Sequence, residues 1–227
     1  MYYNHIVQAA VYNSIDAKLA NFLHQKGFVK DNRSFKMFSI SLLKGQFQMD
    51  KESRTITFSK ELSFTVSSPV ETFCQSLANT LLNKGIVRLG NENVVVEEVN
   101  VKKFVVEEEV VLLRTLSPVV TYSTLLRLDG RKYTCYFQPG EPDYNRLINA
   151  NLQKKYRAYY NSGPPEGEVE VKAVGPQKMN LVIFKDTVIK GYSGKLKLSG
   201  PVPLLQLGVD SGIGGKNAQG FGCVEIL

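Results

Sequence analysis

The alternation of apolar and polar positions divides the chain into many short elements. Ile6, Val7, Ala10, Val11 and Ile15 recur at helical spacing and predict a helix near the start. Asp16 suits the N-cap of a second short helix over 17–24, which turns Leu19, Phe22 and Leu23 inward. Gly27 suits the reversal that follows. Residues 35–43 alternate as a strand, with Phe35, Met37, Ser39 and Ser41 on one side, until Gly45 breaks it. Strands are expected at 54–59 and 62–66. Pro69 then opens a helix carrying Val70, Phe73, Leu77, Leu81 and Leu82, which stops near Gly85, and 94–106 is β-rich.

A second round begins near Val110, with a strand over 110–116 before Ser117-Pro118. Asp129-Gly130 marks a hairpin turn. Pro142 and Asp143 open a long helix to about Tyr160, with Leu147, Ile148, Leu152 and Tyr156 on its inner face. Two long strands over 168–184 and 187–198, a short helix over 201–207, a glycine-dense loop over 208–222 and a last strand over 223–227 complete it. Each half thus runs helix, strands, helix, strand. The pattern predicts an α+β chain of two tandem ferredoxin-like (RRM-like) domains with antiparallel sheets, over 1–110 and 111–227, divided near 107–114. The first unit lacks its opening strand: either the sequence is short of its natural first residues, which is the expectation, or the first sheet has one strand fewer.

Composition narrows the function. The 227 residues carry 28 Lys+Arg, 21 Asp+Glu and two His, a formal charge of +7 that favours an anionic partner. No apolar run approaches the ~20 residues of a membrane helix, and residues 1–5 do not read as a signal peptide, so no membrane partner is expected. Cys74, Cys135 and Cys223 are few, distant and odd in number, which suggests a reducing cytoplasm. With two histidines and scattered cysteines, neither a metal site nor any other cofactor is expected. Basic charge gathers in 151–200, with nine Lys/Arg against four acids. Lys195 and Lys197 share one face of a strand, with Tyr192 close by, and that face reads either as an RNA-backbone track or as a solvated surface. Residues 92–109 hold six Glu against Lys102 and Lys103 and should point away from RNA.

The strongest local signal is the loop, where Gly208, Gly212, Gly214, Gly215, Gly220 and Gly222 fall within 15 residues. Such density lets backbone amides approach an anion, or makes a flexible connection. A P-loop is excluded because its first glycine falls on Asp210 and Lys216 precedes Asn217. A dinucleotide fingerprint is excluded because the loop runs into a strand.

Taken with Tyr3-Asn4-His5, Val11-Tyr12-Asn13, residues 19–24 (Leu-Ala-Asn-Phe-Leu-His) and the order of elements, the run from Gly212 to Gly222 resembles the C-terminal loop of the CRISPR repeat-RNA endoribonucleases. These form the sixth Cas family of the repeat-associated RNA-binding superfamily. The resemblance covers nearly the whole chain. It implies a metal-independent ribonuclease that cuts CRISPR precursor RNA within its repeats, by 2′-hydroxyl attack on the scissile phosphate. It implies catalytic roles for Tyr12, His24 and Lys30, the last matched only by its six-residue offset from His24. RNA contacts are expected at Gly212, Gly214, Gly215, Lys216, Asn217 and Gln219, with Lys195, Lys197 and His5 added. Repeat RNA is the expected partner, with a CRISPR effector complex or a second copy of the chain left open.

The residue chemistry runs parallel. Metal-free RNA cleavage needs a proton acceptor, a proton donor and positive charge near the phosphorane. Histidine suits the proton work, with an unperturbed pKa of about 6.5, and a helix C-terminus favours its cationic form. Without the resemblance, His24 reads equally as a polar helix end, Tyr12 as core and Lys30 as solvated loop. His5 could cap the first helix. A non-catalytic RNA-binding subunit of a CRISPR effector complex is the alternative function, and a general RNA- or phosphate-binding module a third.

Overall fold

A computed structural model describes residues 3–50, 52, 53, 55–127, 129–184 and 187–227. The first half opens with α1 (Asn4–Asn13) and α2 (Ala17–Gln25). Asp16 caps α2 as expected, its carboxylate accepting from the amides of Lys18 and Leu19 at 2.9 and 3.1 Å. A hairpin of β1 (Phe28–Lys30) and β2 (Arg33–Phe35) follows. Asp31 and Asn32 both take positive φ (49° and 58°), which gives the tight turn the twist that hairpins favour.

The strand expected over 35–43 is broken. Met37 is buried at positive φ (53°); before it Phe35 ends β2, and after it only β3 (Ser39–Ile40) pairs regularly, with β6 (Val66–Ser67). Between them β4 (Lys44–Asp50) and β5 (Thr55–Ser63) form one long hairpin. The strand start expected at Arg54 lies outside the described residues. α3 (Glu71–Lys84) ends on Gly85 in the left-handed region, again as expected. β7 (Ile86–Leu89) and β8 (Glu92–Val95) make a further hairpin, after which 96–109 is irregular rather than β-rich. Among the described residues, the first half holds no four-stranded sheet, only two-stranded pairs.

The second half is more regular. It comprises β9 (Val110–Thr115), a hairpin of β10 (Tyr122–Leu126) and β11 (Lys132–Tyr136), then α4 (Pro142–Tyr160), β12 (Glu170–Phe184) and β13 (Thr187–Ser199). α5 (Val202–Ser211), a 3₁₀ turn at Asn217–Gln219 and β14 (Val224–Ile226) complete it. Four strands form one antiparallel sheet in the order β12-β13-β9-β14. Apart from the β10–β11 hairpin, the chain order is strand, helix, two strands, helix, strand. One face of the sheet turns Val111, Leu113, Val171, Leu196 and Leu198 onto α4 and α5.

α5 runs four residues past the expected end. Gly208 sits inside it, where a β-carbon would lie 3.4 Å from Leu152. Burial sorts other expectations too. Leu23 is fully buried, worth about 1.5–3 kcal/mol, but Phe22 is 39% exposed and Leu82 64%.

The halves are stitched together. Leu42 donates its amide to the Leu116 carbonyl at 3.0 Å. The Ser117 hydroxyl donates to the Ile40 carbonyl at 2.9 Å. The Ser67 hydroxyl donates to the last turn of α5, at the Asp210 carbonyl (2.8 Å). Among the described residues, no helix is long and apolar enough to cross a membrane.

Candidate functional site

Tyr12 and His24 are brought together. Tyr12 lies on α1 and His24 in the last turn of α2, with ring centroids 5.7 Å apart and planes at 81°. Tyr12 is wedged on its other side against Phe38 at 5.5 Å, which in turn stacks on Phe73. It is half-buried, and desolvation pushes its phenol up to about 12. At neutral pH it therefore stays protonated and can donate a hydrogen bond or a proton, but cannot serve as a base. His24 is exposed.

Lys30 ends β1 opposite Arg33, beside α2, where Phe22 meets Phe28 at 5.6 Å. No described contact joins it to His24. The lysine that touches the histidine's backbone is Lys36. Its ammonium donates to the His24 carbonyl and to the Ser34 hydroxyl, each at 3.1 Å. Ser34 in turn donates to the Lys26 carbonyl. Together they close the carbonyl end of the helix that presents His24. Partial desolvation lowers the Lys36 pKa. Sequence reading missed Lys36 because a lone polar position on an alternating strand carries no such signal.

His5 is exposed on α1. Its neighbour Asn4 is buried and donates its amide to the carbonyls of Gln219 (2.9 Å) and Gly220 (3.4 Å), tying α1 to the glycine-dense segment.

That segment, 212–222, is no loose connection. Ile213 and Phe221 are fully buried and Ala218 nearly so. The Ile213 amide donates to the Gly222 carbonyl (2.8 Å), Gly215 to Val120 (2.8 Å) and Gly222 to Pro118 (2.9 Å). Lys216 takes positive φ (63°) and sets its ammonium 5.2 Å from the centroid of the Tyr122 ring. Among the described residues the amides of Lys216, Asn217 and Ala218 donate to no protein acceptor. The Asn217 side chain bridges the neck of the segment, donating to the carbonyls of Ile213 and Phe221, both at 3.1 Å. Gln219 keeps a buried amide oxygen without a partner.

Beneath the segment lies Lys155, another residue that sequence reading missed. It is 2% exposed on the inner face of α4. Burial alone pushes its ammonium down to about 7. Unfolded, the same group titrates near 10.4, so between these values the unfolded chain holds a proton that the folded chain has shed. Wild-type stability should therefore rise from about pH 7 to about pH 10 relative to Lys155→Met, with the difference levelling off below about pH 7. Denaturant midpoints of both proteins across this range check the sign; a pH-independent difference would contradict it.

Lys195 and Lys197 are exposed on the sheet face opposite the helices, in register with Arg114 and Lys172 respectively. Arg114 pairs with Glu225, and Lys172 with Glu170 at 3.1 Å, so the face is only partly free to meet phosphates. A shallow groove of about 490 Å³ opens there at the β12 bulge, lined by Arg114, Val174, Gly175, Pro176, Gly194 and Lys195. Tyr192 is not part of that face: it is 6% exposed, bridged through its backbone to Val119. The six glutamates of 92–109 are exposed. Among the described residues no cluster of His, Cys, Asp and Glu could hold a metal.

A family model described as CRISPR-associated protein Cas6, C-terminal, matches residues 97–226. Another, described as CRISPR-associated protein Cas6, N-terminal, matches residues 1–100. The chain is similar to the CRISPR-associated endoribonuclease Cas6 1 of Methanocaldococcus jannaschii, at 28% identity over 225 residues that cover 98% of this chain and 85% of the relative. It is also similar to the CRISPR-associated endoribonuclease Cas6 of Pyrococcus furiosus, at 29% identity over 236 residues, covering 99% and 83%. Among solved structures, one characterising a Cas6-related gene from Pyrococcus furiosus aligns at a TM-score of 0.82 and 17% identity, covering 100% of this chain and 91% of the other. With one family model matching more than half of its length and the two together running nearly end to end, the chain belongs to the Cas6 family of CRISPR-associated proteins.

Proposed function

We propose that this chain is an endoribonuclease that cuts CRISPR precursor RNA within its repeats and so releases guide RNAs. Family membership and two relatives named as endoribonucleases support RNA cleavage. The observation that carries the chemistry is the edge contact between the exposed His24 and the half-buried Tyr12.

In the reaction we propose, the 2′-oxygen forms a bond to the adjacent phosphorus as the bond to the 5′-oxygen breaks. His24 takes part in the proton transfers, and Tyr12, fixed as a donor, protonates or hydrogen-bonds an oxygen of the scissile phosphate. Lys30 is the candidate cation for the developing charge. The products are a 2′,3′-cyclic phosphate and a 5′-hydroxyl, and no metal ion takes part. Lys216 and the unpaired amides beside it suit a phosphate of the bound strand. Gly212, Gly214, Gly215, Asn217, Gln219 and His5 flank it, and Lys195 and Lys197 extend the track.

We read both halves as ferredoxin-like domains, over 1–110 and 111–227, with 212–222 as the family's glycine-rich loop. Three free cysteines accord with work in the cytoplasm. Handover to a CRISPR effector complex and pairing with a second copy are extensions of the same reading.

The test is cleavage of repeat RNA in EDTA, beside RNA carrying a single 2′-deoxy sugar at the scissile position. Cleavage should persist in EDTA and cease with the 2′-deoxy substrate. Loss of cutting in EDTA, or normal cutting of the 2′-deoxy strand, would overturn the mechanism.

A further inference from the structure

We infer that Lys155 is a positioning residue for RNA binding: through Asn217 it holds the 212–222 segment in the shape that receives a phosphate. The inference rests on the reading that this segment binds RNA.

The placement of Lys155 is unusual for a lysine. Tyr144, Ile148 and Leu152 precede it on the buried stripe of α4, where another apolar side chain would continue the pattern. Lys155 is as buried as they are, yet no carboxylate lies among its partners. Its ammonium meets four oxygens: the Gly212 carbonyl at 2.6 Å, Asn217 Oδ1 at 2.8 Å, Ser211 Oγ at 3.1 Å and the Ser211 carbonyl at 3.3 Å. Two of these are carbonyls where α5 ends, the negative pole of that helix. Ser211 Oγ already donates to the Leu207 carbonyl, so towards the lysine it can only accept. The nest is therefore built wholly of acceptors and suits a donor-rich cation. Burying a cation is costly, and packing gives no reason for one here, since an apolar side chain would fill the same stripe.

What the cation does is read from Asn217. A carboxamide can face either way, but an ammonium accepts nothing, so while Lys155 holds its proton Asn217 must turn its oxygen towards it. That orientation leaves Nδ2 to donate to Ile213 and Phe221, one on each side of the segment. Lys155 thus chooses the rotamer that closes the neck. The neck, in turn, frames Lys216 and the unpaired amides of Lys216, Asn217 and Ala218. Lys155 is too deeply buried to touch RNA itself. It acts through Asn217.

The experiment measures binding of repeat RNA with a 2′-deoxy scissile sugar, so that binding is read without turnover. Wild type, Lys155→Met, Lys155→Gln, Asn217→Ala and the Lys155→Met/Asn217→Ala double variant are compared, with thermal melting alongside. Lys155→Met and Asn217→Ala should each weaken binding about tenfold or more, with the double variant no weaker than the stronger single effect. Lys155→Gln, which keeps two donors, should fall between wild type and Lys155→Met. Binding by Lys155→Met within twofold of wild type, or losses that multiply in the double variant, would overturn the inference. If Lys155→Met fails to fold, Lys155→Gln takes its place in the cycle under the same two criteria. Lys216→Ala separates this inference from the reading beneath it. If neither Lys216→Ala nor Asn217→Ala affects binding, the segment is not an RNA site. If both weaken binding and Lys155→Met does not, Lys155 alone is misassigned.

Discussion

His24→Ala is expected to lower the rate of RNA cleavage at least about a hundredfold while RNA affinity stays within a few-fold of wild type. The two readouts separate because of where the side chain sits. His24 is exposed, and it is the adjacent Leu23 that packs in the core, so truncation removes a proton carrier without opening a cavity. Tyr12 would lose only one edge contact and would keep its packing against Phe38. Tyr12→Phe is the companion variant: it preserves both ring contacts and deletes only the hydroxyl. A smaller loss of rate there, with unchanged affinity, fits a donor that assists the histidine. Single-turnover cleavage with saturating enzyme measures the chemical step directly. A His24→Ala protein that cuts at the wild-type rate would remove His24 from the chemistry and favour a non-catalytic RNA-binding role.

Gly222→Ala is expected to destabilise the protein by about 3 kcal/mol or more and to abolish RNA binding by the segment. Gly222 has φ of +68°, and a β-carbon there would lie 2.0 Å from the Ile213 carbonyl oxygen and 2.7 Å from Asn217 Nδ2. The clash is with backbone on one side and with the neck-closing amide on the other, so no side-chain rotation relieves it. In a chain of this size such a loss lowers the melting temperature by roughly 6–12 °C. Gly85→Ala is the control. It has nearly the same φ, +61°, but nothing within 4 Å, so only the left-handed backbone is strained, by about 1 kcal/mol. Equal losses at the two sites would show that the close approach at Gly222 does not matter.

The elements that periodicity and caps define were legible in the sequence. Asp16 and Gly85 mark helix ends because each satisfies local backbone groups, a signal confined to a few residues. The pairing of Tyr12 with His24 was readable through the family resemblance, and the geometry bears on it directly. Long-range partners were not legible. Met37 breaks a strand that alternates correctly, and the residues beyond it pair with Thr65 and Leu116, far off in sequence. Gly208 looks like a helix stop until Leu152 is packed over it. Lys155 and Lys36 read as ordinary surface lysines because what defines them, α5 carbonyls in one case and the His24 carbonyl in the other, arrives only with the fold. The 212–222 segment reads as an open loop because glycine density reports permitted backbone shapes, not burial.

The burial of that segment sets an order of events during synthesis. Ile213 belongs to the apolar cluster under α4 and α5, Ala218 to the cluster around α1 and Phe38, and Phe221 to a third with Val120, Phe184 and Ile189. All three clusters thus await residues made after nearly everything else in this chain. Asn4, on the first helix, waits 215 positions for Gln219. Neither half can finish its interior until residues 212–222 have emerged, and the nascent chain must carry unfinished apolar surface until then. On the reading that 212–222 receives an RNA phosphate, that part of the binding surface and the completed fold come into being in one step.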